Sequence, residues 1–207
     1  MKKMISLILV VIMAFSVSLA FAKTVTPSNA AGGSLAGLVV NATVGAYNAD
    51  TNSFTVTLYE DDSFAIEEVE KLAAGDTLLA GGRVYKVKEK TQDEYGDIKV
   101  VAENGEEIVF VQVGDDHMMA QSIDDDRRFM HAFAILHLPV AEGVIYEDNS
   151  NPEQDAKQVV TEGLDNILKI KAEKEENSNG FDFYATIIEL NEDMEIVRIH
   201  QDFDVAQ

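Results

Sequence analysis

Between Val69 and Lys90 the chain reads VEKLAAGDTLLAGGRVYKVKEK, and this stretch restricts the fold more than any other. Gly75-Asp76 turns the chain into a short apolar strand, Thr77 to Ala80. Gly81-Gly82 then supplies two adjacent positions that tolerate the positive φ of a two-residue hairpin. On the return strand Val84 and Val87 flank Tyr85 and Lys86, and charged residues follow. Glycines placed this way let strands bend closely, so the stretch predicts one corner of a small curled sheet or barrel.

The neighbouring segments extend that pattern. Gly37 to Tyr47 and Phe54 to Glu60 both alternate, with Leu38, Val40, Ala42 and Val44 on one face and Phe54, Val56 and Leu58 on one face of the second, joined by the turn-forming run Asn48 to Ser53. Ile98 to Glu103 and Glu106 to Val113 pair across Asn104-Gly105, a strong hairpin signal. Six strands are thus expected by Val113, with no long helices between them. The expected fold class is mainly β: antiparallel hairpins forming a curled sheet, barrel or sandwich, with one or two short helices.

One or two helices are expected. Phe64 to Ala74 suits a helical turn or two capped by Ser63, or an irregular crossing. Asn151-Pro152-Glu153-Gln154 has the capping pattern of a helix start, followed by the stripe Ala156, Val160, Leu164 and Leu168. The apolar run Phe129 to Val140 fits either a helix stopped by Pro139 or a buried strand, and its β surroundings favour the strand. Leu138 to Glu142 begins like a cell-wall sorting signal but lacks Thr-Gly and an apolar tail, and reads as a loop, as does Glu147 to Asn151. Leu168, Ile170 and Ala172 alternate with lysines as in a strand, and Phe181 to Leu190 and Met194 to Phe203 complete a C-terminal β-meander.

The N-terminus carries the layout of a secretory signal peptide. Lys2 and Lys3 form a basic region, Ile5 to Leu19 is apolar, and Ala20-Phe21-Ala22 is a small-x-small cleavage site before Lys23. Residues 1–22 are therefore read as a signal, 23–35 as a flexible linker rich in Thr, Ser, Ala, Gly and Pro, 36–140 as a β-rich domain, and 141–207 as a helix plus β-meander packed on that domain. An uncleaved anchor would also keep the chain outside the cytoplasm. With no cysteine, neither a lipid thioether nor a disulfide is available, which fits a bacterial envelope better than a eukaryotic secretory route.

Charge narrows the partners. The chain has 16 basic and 37 acidic residues, a net of −21. Loss of Lys2 and Lys3 with the signal leaves 14 basic residues and a net of −23. Such a surface repels nucleic acid and anionic lipid, so neither nucleic-acid binding nor stable membrane insertion after cleavage is expected. Cations, basic proteins and neutral glycans remain as partners.

The candidate metal residues are Asp115, Asp116 and His117, with Asp124 close behind at the head of Asp124-Asp125-Asp126. Carboxylates and an imidazole on a loop suit a divalent cation, with Ca2+ the candidate ion, although the spacing is not that of a helix-loop-helix calcium site. A solvated acidic loop explains the same residues in so acidic a chain. His131 and His137, six residues apart, would share a strand face too far apart for one metal, and both read as structural histidines.

Catalytic patterns are poorly matched. Gly32-Gly33-Ser34-Leu35-Ala36 approximates a nucleophile elbow without the flanking strand and helix. Asp76-Thr77 continues into Leu78, unlike an aspartic-protease loop, and a thiol nucleophile is impossible without cysteine. Six tyrosines offer the only ring-hydroxyl platforms in a chain without Trp, and half-buried strand positions explain them as well. The expectation is an exported, non-catalytic binding or structural interaction protein. A cation-dependent hydrolase built on Asp115, Asp116 and His117 is the alternative, and an inhibitor or chaperone-like partner with an exposed strand edge is a third class.

Overall fold

The computed structural model describes residues 23–27, 35–124, 127–150, 159–177 and 180–202. The fold is mainly β: two mixed sheets, one of them curled, with two short helices. One sheet has seven strands: β1 (Thr24–Val25), β5 (Thr77–Ala80), β6 (Arg83–Gln92), β7 (Ile98–Ala102), β8 (Glu107–Val113), β9 (His117–Ser122) and β4 (Ser63–Ala65), in that spatial order. Its neighbours are antiparallel except β1, which runs parallel to β5.

The other sheet has the order β11 (Val159–Glu162), β10 (Met130–Asp148), β13 (Ile196–Gln201), β12 (Thr186–Leu190), β2 (Val39–Asn48) and β3 (Ser53–Asp61). Strand β10 spans 19 residues and also pairs with β3, so this sheet curls back on itself. The β10–β13 pairing is parallel, the second departure from an all-antiparallel plan. Residue 140 falls inside β10, and the C-terminal strands belong to the same sheet as β2 and β3.

Each sheet has its own core. Phe54, Val56, Leu58, Leu138, Ile188 and Ile199 lie within one, and Phe64, Leu78, Val100, Ile108 and Phe110 within the other. The alternation read from the sequence selects these inward positions, because successive strand residues point to opposite faces. The Gly81-Gly82 turn forms as expected, with φ of +55° and +68° and Ala80 paired to Arg83. At Asn104-Gly105 only Gly105 is left-handed, and the hairpin loop is longer than two residues, running between Ala102 and Glu107.

Several local expectations change. Eight strands precede Gly114 rather than six, because short β1 and β4 add to the hairpins. Phe64 lies in β4, and helix α1 covers only Ile66–Glu70, starting at Ala65 with no side-chain cap. The first residues of the expected linker form β1, with Val25 fully buried, while 28–34, including most of the elbow-like segment, lie outside the described residues. The signal segment 1–22 and the helix start at Asn151 lie outside them as well. Val160 belongs to strand β11, and helix α2 follows later, at Leu164–Asn177, after Gly163 at φ +88°.

Leu168 to Ala172 is therefore helical. Its lysine alternation hid a stripe at helical spacing, in which Leu164, Ile167, Leu168 and Lys171 recur every three or four residues. Leu138 to Glu142 is strand, not loop. Pro139 is tolerated there because its partner Ser53 is the first residue of β3, where that ladder ends. Of Phe181 to Leu190, only Thr186–Leu190 is strand, and Asp182 turns the chain before it by accepting a hydrogen bond from Tyr184 N at 3.1 Å.

Candidate functional site

Two of the chain's passages between the sheets, β3 to β4 and β9 to β10, lie side by side. Asp62 alone separates β3 from β4, and Phe129 leads from β9 back into β10. Asp62 N donates to Phe129 O at 2.8 Å, so the crossings are stitched together. At this junction Asp62 is fully buried, and its carboxylate has two partners from elsewhere in the chain. Gly81 N donates to Oδ2 at 2.5 Å, and His131 Nδ1 lies 2.6 Å from Oδ1. A carboxylate only accepts, so the proton of that last bond sits on Nδ1, which fixes the ring's orientation.

On its other side the imidazole meets a second acid. Glu60 Oε1 is 3.0 Å from His131 Nε2, at ion-pair distance but without hydrogen-bond alignment. An Asp holding His Nδ1 is the geometry that orients a general base, but a nucleophilic hydroxyl would have to stand where Glu60 stands. The expected kinship of His131 with His137 also fails. Ala132 pairs with Tyr59 while Ala134 pairs with Leu58, a bulge that leaves Phe133 unpaired and reverses the faces beyond it. His131 thus shares the face of Glu60 and Leu58, whereas His137 lies opposite, within 3.2 Å of Thr55 Oγ1.

Beside this junction a cleft of about 630 Å3 opens between the two sheets. Tyr59, His131 and Phe183 line it from one side, and the Gly81-Gly82 turn, Arg83 and Tyr85 from the other. The segment between β9 and β10 adds Asp124, Arg127, Arg128 and Phe129. The chain has only four arginines, and three of them line this one cleft.

Aromatic rings form the second part of the wall. Tyr59 and Phe183 stack at 3.9 Å, Phe183 meets Tyr184 at 4.1 Å, and the Arg127 guanidinium lies 4.4 Å over the Tyr184 ring. Such a contact holds the guanidinium flat against the wall. Arg128 is anchored by Asp61 at 2.8 Å. Burial raises the Asp61 pKa, Arg128 opposes that, and the neighbouring Asp62 charge adds to the rise. Burial, reinforced by Glu106, pushes the Tyr85 hydroxyl up to about 12, so it stays protonated through the physiological range.

The acidic loop picked from the sequence lies elsewhere. Asp115 and Asp116 form the turn from β8 into β9, and exposed Asp116 contacts His117 Nδ1 at 2.6 Å. Asp124 follows the opposite end of β9, roughly 17 Å or more along the strand from His117. Asp124 lines the cleft, and Asp125 and Asp126 lie outside the described residues. Among the described residues no three His, Asp or Glu side chains converge as metal ligands.

The cleft itself was not anticipated from the sequence. Two signals pointed to it: the scarcity of arginine, with Arg127-Arg128 placed just before an apolar strand, and the Phe183-Tyr184 pair after an Asp turn. No protein-family model matches the chain, no curated protein matches its sequence, and no solved structure matches its fold.

Proposed function

We propose that the chain is an exported, non-catalytic binding protein whose ligand site is the cleft between the two sheets. One observation carries this reading: three of the four arginines of a strongly acidic chain line a single cleft, beside a cluster of three aromatic rings. Guanidinium groups recognise carboxylates through paired N–H donors, and aromatic faces take ring systems. The ligand class is therefore a small molecule or chain end joining a ring face to a carboxylate. A uronic-acid sugar and an aryl carboxylate both have that chemistry. The volume suits such a ligand, since small-molecule sites run to roughly 300–1,000 Å3.

Export rests on the basic, apolar and small-x-small segments of the first 22 residues. The Asp62–His131–Glu60 cluster is the scaffold that fixes one wall, since its imidazole is already flanked by two carboxylates. Calorimetric titration of the purified protein with oligogalacturonate, with benzoate and with their uncharged counterparts tests the proposal. Saturable binding of one acid, weakened tenfold or more by Arg127→Ala and by Phe183→Ala, is the expected result. Flat traces for every acid, or binding unchanged in both variants, would remove the cleft as the site.

A further inference from the structure

The backbone nitrogen of Lys23, the residue directly after the small-x-small motif, is held by a carboxylate: it donates to Asp76 Oδ1 at 2.8 Å. The other oxygen of Asp76 accepts from Ala73 N at 2.9 Å, which fixes the carboxylate in place. Thr77 N donates to Lys23 O at 2.7 Å, and Thr24 and Val25 then pair with Thr77 and Leu78 in parallel register. Val25 is fully buried in the core of that sheet. The Lys23 side chain adds an ion pair at 3.5 Å to Glu68 on α1. The first residues after the motif thus form an ordered strand whose leading nitrogen already faces an acid.

We propose that Asp76 is the receptor for a new α-ammonium group, made when export processing cuts the chain between Ala22 and Lys23. This rests on the export reading. In the cut, an endopeptidase of the export route adds water across the peptide bond. The Ala22 carbonyl carbon keeps the water's oxygen and leaves as a carboxylate, and the Lys23 nitrogen takes both of the water's protons and becomes an ammonium. Before the cut Lys23 N is a neutral amide with one hydrogen to donate. Afterwards it is a cation with three, and its bond to Asp76 becomes charge-assisted, roughly twice as strong as a neutral one. Processing therefore tightens β1 onto β5, and the mature chain is more firmly closed than its precursor.

The pH dependence follows. An α-amino group titrates near ~8 in an unfolded chain, and the neighbouring carboxylate favours its charged form. The groups facing it are Asp76, from the loop before β5, and Glu68, from α1 through the lysine side chain. A base whose charged form is favoured by folding adds stability below its unfolded pKa and loses that gain as pH rises through the folded value. The gain is thus complete at pH 7 and lost in the alkaline range above about 8.

The test has two stages. The full chain is produced with its own leader in a bacterial host and recovered outside the cytoplasm, and its mass should correspond to a chain starting at Lys23. Thermal unfolding then compares this protein with one carrying a single added alanine before Lys23, each with Asp76 or Asp76→Asn. The Lys23-first protein should melt about 2–4 °C higher at pH 7, the shift that one modest interaction produces in a chain of this size. The gap should close by pH 10 and be absent with Asp76→Asn, whose side-chain oxygen can still serve Ala73 N. A chain that stays in the cytoplasm uncut sinks the export reading. An exported chain cut elsewhere, equal melting temperatures, or a gap that survives Asp76→Asn sinks the Asp76 receptor alone.

Discussion

Replacing Gly81 by alanine tests how closely the two sheets are fitted at the cleft. A Cβ at Gly81 would come within 2.7 Å of Phe129 Cδ1, and the backbone there is left-handed at φ +55°. Left-handed backbone costs a non-glycine residue roughly 1–2 kcal/mol, and forcing a methyl group into a packed contact costs about 1–3 kcal/mol more. Phe129 cannot simply retreat, because its backbone oxygen accepts from Asp62 N and its ring meets Tyr85 at 5.9 Å. Gly82→Ala is the matched control: φ is +68°, but no atom lies within 4 Å of its Cβ position. It should lose only the backbone part. Urea unfolding, with a slope of about 2 kcal/mol/M, should then place the Gly81→Ala midpoint roughly 0.5–1.5 M below that of Gly82→Ala. The difference should shrink in a Phe129→Leu background. Coincident midpoints would refute the claim that this contact sets the fit between the sheets.

Three further perturbations follow from buried charges. Asp62→Ala leaves Gly81 N and His131 Nδ1 without their acceptor and should cost about 2–5 kcal/mol in urea unfolding, whereas Asp62→Asn, which keeps an acceptor, should cost less than half as much. At Glu147 burial alone would raise the pKa, but hydrogen bonds from His200 and Arg198 outweigh it and hold the group below its ordinary 4.5. Its contribution is therefore present above that value and lost as pH falls through the lower, folded one. Glu147→Gln should flatten the fall in stability measured between pH 5 and pH 3. Tyr85 behaves in the opposite sense. The unfolded chain ionises near 10 and the folded one near 12, so stability should decline above pH 10, and Tyr85→Phe should lessen that decline in alkaline melts.

The architecture was legible where the signal is local. Alternation in Phe54, Val56 and Leu58 and the paired glycines at 81 and 82 identify strands and a turn, because side-chain direction and backbone freedom depend on neighbouring residues alone. The helix boundaries were not. In LKIKA the lysines imitate a strand, and only burial of Ile167 and Lys171 four residues apart shows the helical stripe. The bulge at Phe133 was equally hidden, since nothing in FMHAFAILHL marks where β3 pairs two residues against three. Cleft residues come from Tyr59, Arg83, Arg127 and Phe183, more than 120 positions apart at the extremes, and converge only because the chain crosses between the sheets. The acidic run at Asp115 to His117 drew notice because its residues are adjacent, and adjacency carries no information about such convergence.

The two proposals meet on one strand. Asp76, just before β5, faces the Lys23 nitrogen, and Gly81, just past its end, donates to Asp62. Four residues separate these anchors, about 17 Å of extended chain. The N-terminal segment runs alongside, and Thr26 and Pro27 line a hollow of about 240 Å3 together with Asp62, Leu79, Gly82 and His131. His131 and Gly82 line both that hollow and the cleft. Anything that loosens β1 from β5 removes support from behind the Asp62–His131 pair, and that pair sets the position of one cleft wall. On this geometry an N-terminal extension should weaken ligand binding as well as lower the melting temperature. Calorimetry on the alanine-extended protein checks the link: unchanged affinity alongside a lowered melting temperature would show that β1 stabilises the sheet without reaching the cleft.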